Sequence, residues 1–236
     1  MKILLIAGNT SRSRTYAQYL SSKKYIVEGL FYGFNSIKYI PPKLNSESKK
    51  FFKKQNFIIP NLEIDIEKIF KKKKWIYKYV DEFDVNSFKI LNNIKASSPD
   101  LIIFSGYGGQ ILKKKHIDLN IPYLHMHPGD IPTEKGSTTI YYSILNKKSC
   151  TVSAFLMNEK IDSGKIILKK NYSRPFKNVD IDNYYDNIIR ANCMLEALVV
   201  LNQKNEYESL LMDKHLEYYI IHPVIKNISV LSLNDF

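Results

Sequence analysis

The chain has 236 residues, of which 44% are hydrophobic, and a formal net charge of +12. Its length suffices for one large domain, and its hydrophobic fraction excludes wholesale disorder. No apolar run reaches about 18 residues, the minimum for a transmembrane helix, so we predict no membrane partner. The excess lysines fall in short runs typical of solvated faces, so we predict no nucleic-acid partner. Two lone cysteines, Cys150 and Cys193, are typical of reduced thiols in the cytoplasm.

The first 80 residues are predicted to begin with a strand–helix–strand unit. Residues 2–7 form an apolar run that predicts a buried strand, 14–22 predict a helix, and 25–33 predict a second strand. This order is typical of a parallel sheet. The prolines and polar residues of 41–60 predict a loop with a short helix, and the charged and aromatic residues of 62–80 predict a helix.

The middle of the chain repeats this alternation. Residues 86–97 carry apolar side chains at spacings of three and predict a helix, and 101–104 predict a buried strand. A helix is predicted over 110–116 and a short strand over 122–127. The segment 128–136 contains two prolines and two glycines and therefore predicts a loop.

The remaining residues predict elements of both kinds. These are a helix over 137–147, strands over 150–157 and 166–168, a turn over 162–164, a long helix over 180–203, and short strands at 218–221 and 228–231. The alternation predicts an α/β fold, a doubly wound and mostly parallel sheet, in a domain of residues 1–205. Residues 206–236 are predicted to form a small C-terminal extension that contacts a second copy of the chain or the substrate.

Two histidines, His125 and His127, lie two residues apart at a predicted strand end. On a strand, positions i and i+2 face the same side, so the two imidazoles are expected to project together. In doubly wound sheets, ligands bind outside the carboxyl ends of the strands, where the loop 106–109 is also expected. The stiff loop after His127 therefore favours a reaction pocket at this edge.

The residue types allow three interpretations of this histidine pair. The imidazoles can be packing or turn residues, or they can bind a metal together with Asp130 or Asp162. They can also perform acid–base and oxyanion chemistry beside an orienting carboxylate. No third ligand stands at a diagnostic spacing, and we predict no metal site.

Three motifs in the middle of the chain resemble the formyltransferase family, which includes glycinamide ribonucleotide, methionyl-tRNA and sugar N-formyltransferases. Pro-Asp-Leu-Ile at 99–102, followed by Ser-Gly-Tyr-Gly and Gln-Ile-Leu within 105–112, resembles the family's strand and donor-binding loop. His-Pro-Gly-Asp-Ile-Pro at 127–132, followed by Gly136, resembles its His-x-Ser-x-Leu-Pro…Gly segment. Residues 161–167 resemble its (Leu/Val)-Asp-x-Gly-x-Ile turn. The order and separations of the motifs agree with the family.

This resemblance implies catalytic residues and a formyl donor. The family's His corresponds to His127 and its Asp to Asp162, whereas its Asn falls on His125, which can also donate a hydrogen bond to the formyl oxygen. The implied donor is 10-formyltetrahydrofolate. Its pterin is expected beside these residues: Gly108, Gly109, Gln110, Ile111, Leu112 and Ile161.

Segments 136–142 and 218–223 are most similar to formyltransferases of nucleotide-linked 4-amino-4,6-dideoxy sugars, including the pseudaminic-acid-type branch. The expected acceptor is therefore the primary amine of such a sugar, because the residues after the last long helix are too few for a further RNA-binding domain. Residues expected to contact its diphosphate, sugar or base are Arg12, Arg14, Tyr107, Lys135, Thr138 and Tyr141. Many family members pair, so a homodimer is expected. A metal-dependent enzyme and a non-catalytic folate-fold binding protein are the alternatives.

Overall fold

The computed structural model of the protein describes residues 1–158, 164–203, 216–218 and 220–234. These form an α/β fold with mostly parallel strands and flanking helices, which confirms the predicted fold class. The strands are β1 (Ile3–Ala7), β2 (Val27–Tyr32), β3 (Tyr77–Val80), β4 (Leu101–Ser105), β5 (Tyr123–His127), β6 (Glu134–Gly136), β7 (Ser149–Met157), β8 (Gly164–Ser173) and β9 (Leu216–Tyr218). The helices are α1 (Ser11–Ser21), α2 (Ser46–Lys54), α3 (Ile66–Lys73), α4 (Phe88–Ser97), α5 (Lys114–Ile117), α6 (Thr139–Asn146), α7 (Asp186–Gln203), preceded by a π-helical turn (Ile181–Tyr185), and α8 (Pro223–Leu231).

The first of two compact units comprises residues 1–42, 60–125 and 157–158. Its strands follow the order β3-β2-β1-β4-β5, and each neighbouring pair is parallel. All residues of β1 and β4 are buried, as expected for continuous apolar runs in the centre of a parallel sheet. Its buried core is built from Leu4, Ile6, Leu30, Tyr32, Val80, Val85, Ile90, Ile94, Ile102, Phe104, Tyr107, Leu112 and Tyr123.

The second unit comprises residues 43–59, 126–156 and the described residues from 164 onward. In it β7 and β8 are neighbours, α7 packs on β8, and α8 packs on α6. The described residues of the predicted C-terminal extension join this unit: β9 pairs in parallel with β6, and the Ser229 hydroxyl donates to the Tyr141 carbonyl. The division predicted at residue 205 stays a prediction. Within the described ranges, no helix is both long and apolar enough to cross a membrane.

The helix predicted over 62–80 is wrong in its second half, because α3 ends at Lys73 and strand β3 follows from Tyr77. The helix ends because Lys74 adopts a left-handed conformation (φ 57°), and the Trp75 amide then donates to the Phe70 carbonyl. Three lysines of the run lie in the last turn of α3, where the helix dipole favours cations. The tyrosines that follow favour a strand, and β3 pairs with β2.

The helix predicted over 110–116 is also shorter than expected, because only α5 is helical. The Asn86 side chain donates to the Ile111 carbonyl (3.0 Å) and accepts from the Lys113 amide (2.8 Å). These main-chain groups are therefore engaged by a side chain rather than by a helical hydrogen bond. The segment 110–113 thus remains an extended loop.

The strand predicted over 228–231 is wrong, because these residues lie in α8. The His222 side chain accepts a hydrogen bond from the Val224 amide, and Pro223 occupies the first helical position. A capping side chain followed by proline is a helix-start signal that outweighs the β-branched residues further along. Of the strand predicted at 218–221, the structure has β9, which ends at Tyr218.

We predict that His116 makes stability depend on pH. Its ring is fully buried, with Nδ1 2.8 Å from the Tyr123 hydroxyl and Nε2 3.1 Å from the Val85 carbonyl oxygen. Burial lowers the pKa of His116 from 6.5 to about 4, although the Val85 carbonyl acts in the opposite direction. Between these values the unfolded chain binds more protons, so stability falls as the pH is lowered.

From pH 7 to pH 5, this histidine should lower the free energy of unfolding by about 2 kcal/mol. Urea unfolding at both values measures the loss in the wild type and in His116→Gln, whose amide does not titrate. The variant should lose less stability on acidification than the wild type. Equal losses in the two proteins would contradict this assignment.

Candidate active site

Strand β5 carries both predicted catalytic histidines. Because side chains alternate along a strand, His125 and His127 belong to one face and the fully buried Met126 to the other. His125 is partly exposed, whereas His127 is only 2% exposed. The strand predicted over 122–127 is therefore confirmed, and the two imidazoles differ in exposure.

The His127 ring is fixed by the loop that follows the strand. Its Nε2 lies 2.8 Å from the Glu134 carbonyl oxygen and 3.4 Å from the Thr139 hydroxyl, which itself donates to the Pro128 carbonyl (2.7 Å). A carbonyl oxygen only accepts, so Nε2 carries the proton. In the neutral ring, Nδ1 is then the basic nitrogen.

Gly129 allows the loop to approach the ring this closely. A Cβ atom at this position would lie 2.6 Å from His127 Nε2 and 2.8 Å from the Glu134 carbonyl oxygen. Both distances are shorter than van der Waals contact, so a side chain here would displace the histidine or the loop. Close packing against His127 and Glu134 therefore explains the glycine in the His-Pro-Gly motif.

The Glu134 side chain closes the same loop from inside. Its carboxylate, 3% exposed, accepts hydrogen bonds from the Asp130 amide (3.0 Å) and the Ser143 hydroxyl (2.8 Å). Lys147 Nζ lies 3.1 Å from its other oxygen. A buried carboxylate is stable only when its lone pairs are occupied in this way.

Asp130 extends this network towards solvent. Its carboxylate is paired with Lys169 Nζ (2.9 Å) and Lys147 Nζ (3.4 Å). Partial burial raises the pKa of Asp130, but Lys169 and Lys147 outweigh it, so the pKa lies below its ordinary value. Burial lowers the pKa of Lys147, but Glu134 and Asp130 outweigh it and raise the value. Asp130 and Lys147 are therefore both charged at neutral pH.

Ser153 on β7 holds the first residues of the loop. Its hydroxyl, fully buried, donates to the Gly129 carbonyl (2.7 Å) and accepts from the Ile131 amide (3.0 Å). One side chain thus pairs two main-chain groups that lie two residues apart. Sequence analysis did not identify Ser153, Glu134, Ser143 or Lys147, because isolated polar residues in strands, loops and helices carry no spacing signal.

In the first unit, different residues contact His125 and the predicted donor loop. The centroid of the His125 ring lies 6.3 Å from that of Phe104 on β4. Gln110 accepts from the Tyr32 hydroxyl (2.7 Å) and donates to the Phe83 carbonyl (2.8 Å), which anchors the loop at its centre.

The exposed part of this loop has open space around it. A Cβ atom on Gly108 or Gly109 would meet nothing within 4 Å, and Gly109 has a φ of +79°. Ile111 is 57% exposed, whereas Leu112 is buried in the core. The main chain at both glycines is therefore accessible, beside an exposed apolar side chain.

Three predicted substrate residues lie together around the first loop. Arg12 donates to the Gly106 carbonyl, and the Tyr107 hydroxyl accepts from the Asn9 amide (2.8 Å). Arg14 is buried, donates to Asn9 (2.7 Å), pairs with Asp65 (3.0 Å) and stacks on the Tyr39 ring. These contacts are structural, and the substrate roles of Arg12, Arg14 and Tyr107 stay predictions.

The other three predicted substrate residues lie in the second unit. Lys135 is partly exposed on β6, and the Thr138 hydroxyl accepts from the Ile221 amide (2.8 Å). The Tyr141 hydroxyl donates to Asp182 (2.6 Å). The substrate roles of these residues also stay predictions.

The remaining predicted site residues, Asp162 and Ile161, lie outside the described residues. In the part of the chain that is described, no group of three or more His, Cys, Asp or Glu side chains is arranged to hold a metal ion. The Asp130 carboxylate, one of the ligands considered for a metal site, is paired with two lysines.

Comparisons with known proteins give both a sequence match and a fold match. No model of a protein family matches the sequence. A methionyl-tRNA formyltransferase of Pseudothermotoga lettingae is 37% identical over 103 residues, which cover 42% of this chain and 31% of that protein. The match therefore spans about a third of that relative's length.

Two solved structures share the fold over nearly the whole chain. A sugar N-formyltransferase from a Shewanella species has a TM-score of 0.58 at 18% identity, covering 98% of this chain and 87% of that one. A phosphoribosylglycinamide formyltransferase from Anaplasma phagocytophilum has a TM-score of 0.59 at 12% identity, covering 92% and 98%. With the sequence match, these similarities support the formyltransferase family for this chain.

Removing the Ser153 hydroxyl should destabilise the loop after His127. Ser153→Ala removes the hydroxyl that pairs with the Ile131 amide and the Gly129 carbonyl and leaves these two groups only their own 3.2 Å hydrogen bond, which should cost about 0.5–1.5 kcal/mol. Urea unfolding of this variant, beside Ser36→Ala at an exposed position, measures the cost. A Ser153→Ala stability equal to that of the control would contradict a stabilising role for the two Ser153 hydrogen bonds.

Proposed function

We propose that this protein transfers a formyl group from 10-formyltetrahydrofolate to the primary amine of a nucleotide-linked amino-deoxy sugar. The observation that carries the proposal is His127, buried at the carboxyl end of β5 with its Nε2 proton committed to the Glu134 carbonyl. The similarity to a methionyl-tRNA formyltransferase supports formyl transfer. The fold shared with a sugar N-formyltransferase supports the sugar acceptor.

The donor loop fits a flat ring held by main-chain groups. Accessible main chain at Gly108 and Gly109 can form hydrogen bonds with the edge of a pterin, and the exposed Ile111 side chain can pack on its face. The anchoring bonds of Gln110 hold the loop in one conformation before binding. Ile161 completes the predicted set. When bound, the donor supplies an electrophilic formyl carbon.

The tautomer of His127 determines its part in the reaction. Because Nε2 donates to the Glu134 carbonyl, Nδ1 is the atom that accepts the proton of the attacking amine. The protonated ring can then donate from Nδ1 to the leaving nitrogen. Asp162 is proposed to stabilise the resulting imidazolium.

His125 is proposed to stabilise the negative charge that develops on the formyl oxygen. A ring N–H aimed at this oxygen acts as the family's Asn amide does, because both are hydrogen-bond donors. An imidazole can also titrate in the physiological range, whereas an amide cannot. The step should therefore depend on pH through His125.

The acceptor is proposed to bind through its diphosphate and its sugar. The net charge of +12 favours an anionic substrate, and Arg12 and Lys135 are proposed to contact the phosphates. Arg14, Tyr107, Thr138 and Tyr141 are proposed to line or support the sugar and base site. A cytoplasmic location and pairing with a second copy of the chain are further parts of this proposal.

A second acceptor, the amino group of methionyl-tRNA, is favoured by the sequence match alone. The two candidates make different demands on the surface, because a tRNA would contact many phosphates and its binding would weaken steeply with salt. A nucleotide sugar carries only two phosphates and should show a shallow salt dependence.

Substitutions at the two histidines should separate their roles. His127→Ala and His125→Ala should each lower kcat about 100- to 1,000-fold, the usual loss for one such group. His125→Asn should retain most activity and lose the pH dependence that the imidazole contributes. Steady-state rates with 10-formyltetrahydrofolate over a pH series measure both effects, with Lys23→Ala in the exposed turn after α1 as control. Full activity in His127→Ala would reject the proposal.

Substitution of Gly108 should test the donor loop. Gly108→Val adds a side chain in open space, so the free energy of unfolding should change by less than about 0.5 kcal/mol. The added group would occupy the space proposed for the pterin, so the KM for the donor should rise about tenfold or more. An unchanged KM would exclude Gly108 from the donor site.

A further inference from the structure

We infer that Glu134 is a positioning residue that acts through His127: its buried carboxylate holds the loop so that its own carbonyl oxygen fixes the imidazole. This inference rests on the proposed function for its effect on catalysis. Its structural part concerns the second unit alone and needs no substrate.

The two ends of Glu134 are engaged in different ways. The main-chain carbonyl accepts the His127 Nε2 proton at 2.8 Å, and the side chain turns inward to the Asp130 amide and the Ser143 hydroxyl. The Asp130 carbonyl in turn accepts from the Glu134 amide (2.9 Å). Residues 130–134 therefore form a closed turn, and the position of the carbonyl depends on the carboxylate inside it.

Charge is essential to this arrangement. One carboxylate oxygen accepts two hydrogen bonds, and the other accepts from Lys147. A glutamine of the same volume has one oxygen and an amide that only donates, so its amide would face the Lys147 ammonium. The turn would then lose the negative charge that pairs with Lys147, while the side-chain volume would stay the same.

A neutral side chain at this position should therefore loosen the hydrogen bond at His127. Losing the stabilising free energy of about one hydrogen bond should let the ring proton exchange with water roughly tenfold faster. A less constrained imidazole is a poorer base for a bound amine, so kcat should fall about 10- to 100-fold. The donor KM should stay within about twofold, because the groups that pair with Glu134 belong to His127, Asp130, Ser143 and Lys147, none of which is a predicted donor-binding residue.

The experiment compares the wild type with Glu134→Gln by proton–nitrogen NMR of the histidine rings and by steady-state kinetics. The buried His116 ring, whose Nε2 faces the Val85 carbonyl, is the internal reference in each spectrum. Glu63→Gln, at an exposed position, is the matched control. We expect faster exchange at His127 only, and a lower kcat, in Glu134→Gln alone.

The outcomes separate this inference from the proposed function. Unchanged exchange at His127 in a folded Glu134→Gln protein would overturn the inference, whatever its activity. Faster exchange in a protein whose wild type formylates no amine would support the positioning role and reject the formyltransferase. Where Glu134→Gln fails to fold, Ser143→Ala removes one hydrogen bond to the same carboxylate and should accelerate exchange about threefold. No acceleration there would overturn the inference.

Discussion

The hydrogen bond from His127 Nε2 to the Glu134 carbonyl oxygen is the contact on which the proposed chemistry depends. It joins the end of β5 to the start of β6 and decides which ring nitrogen can accept a proton. Without it, a buried imidazole could adopt either tautomer, and the same side chain would serve equally well as a base or as a donor. Gly129 permits this contact, since a larger residue would collide with both of its partners.

Around this contact, the protein buries a carboxylate that would be costly alone. Two hydrogen bonds and the ion pair with Lys147 compensate the cost of burying the Glu134 carboxylate, and Lys147 also pairs with Asp130. Such networks contribute little net stability compared with apolar packing, but they define one arrangement of the chain. Here they define the conformation of the loop that holds His127, the proposed catalytic base.

The sequence predicted the parts of the molecule that have a strong local pattern. Continuous apolar runs identified β1 and β4, and the residues around His125 and His127 identified β5. It did not predict β3. The lysine run is compatible with a helix that continues to residue 80, and the following residues form a strand because they pair with β2. It also missed Glu134 and Ser153, because their partners lie on the main chain of a loop whose conformation no local pattern specifies. The catalytic role of Asp162 stays a prediction.

The central claim is most directly tested by offering the wild-type protein 10-formyltetrahydrofolate and a panel of amines. The panel contains UDP- and dTDP-linked 4-amino-4,6-dideoxy sugars, glycinamide ribonucleotide and methionyl-tRNA, and product mass reports the added formyl group. The account predicts the highest kcat/KM for a nucleotide-linked amino sugar, with tetrahydrofolate released in equal amount. Transfer to methionyl-tRNA alone would contradict the acceptor, and transfer to none of these amines would contradict the proposed activity.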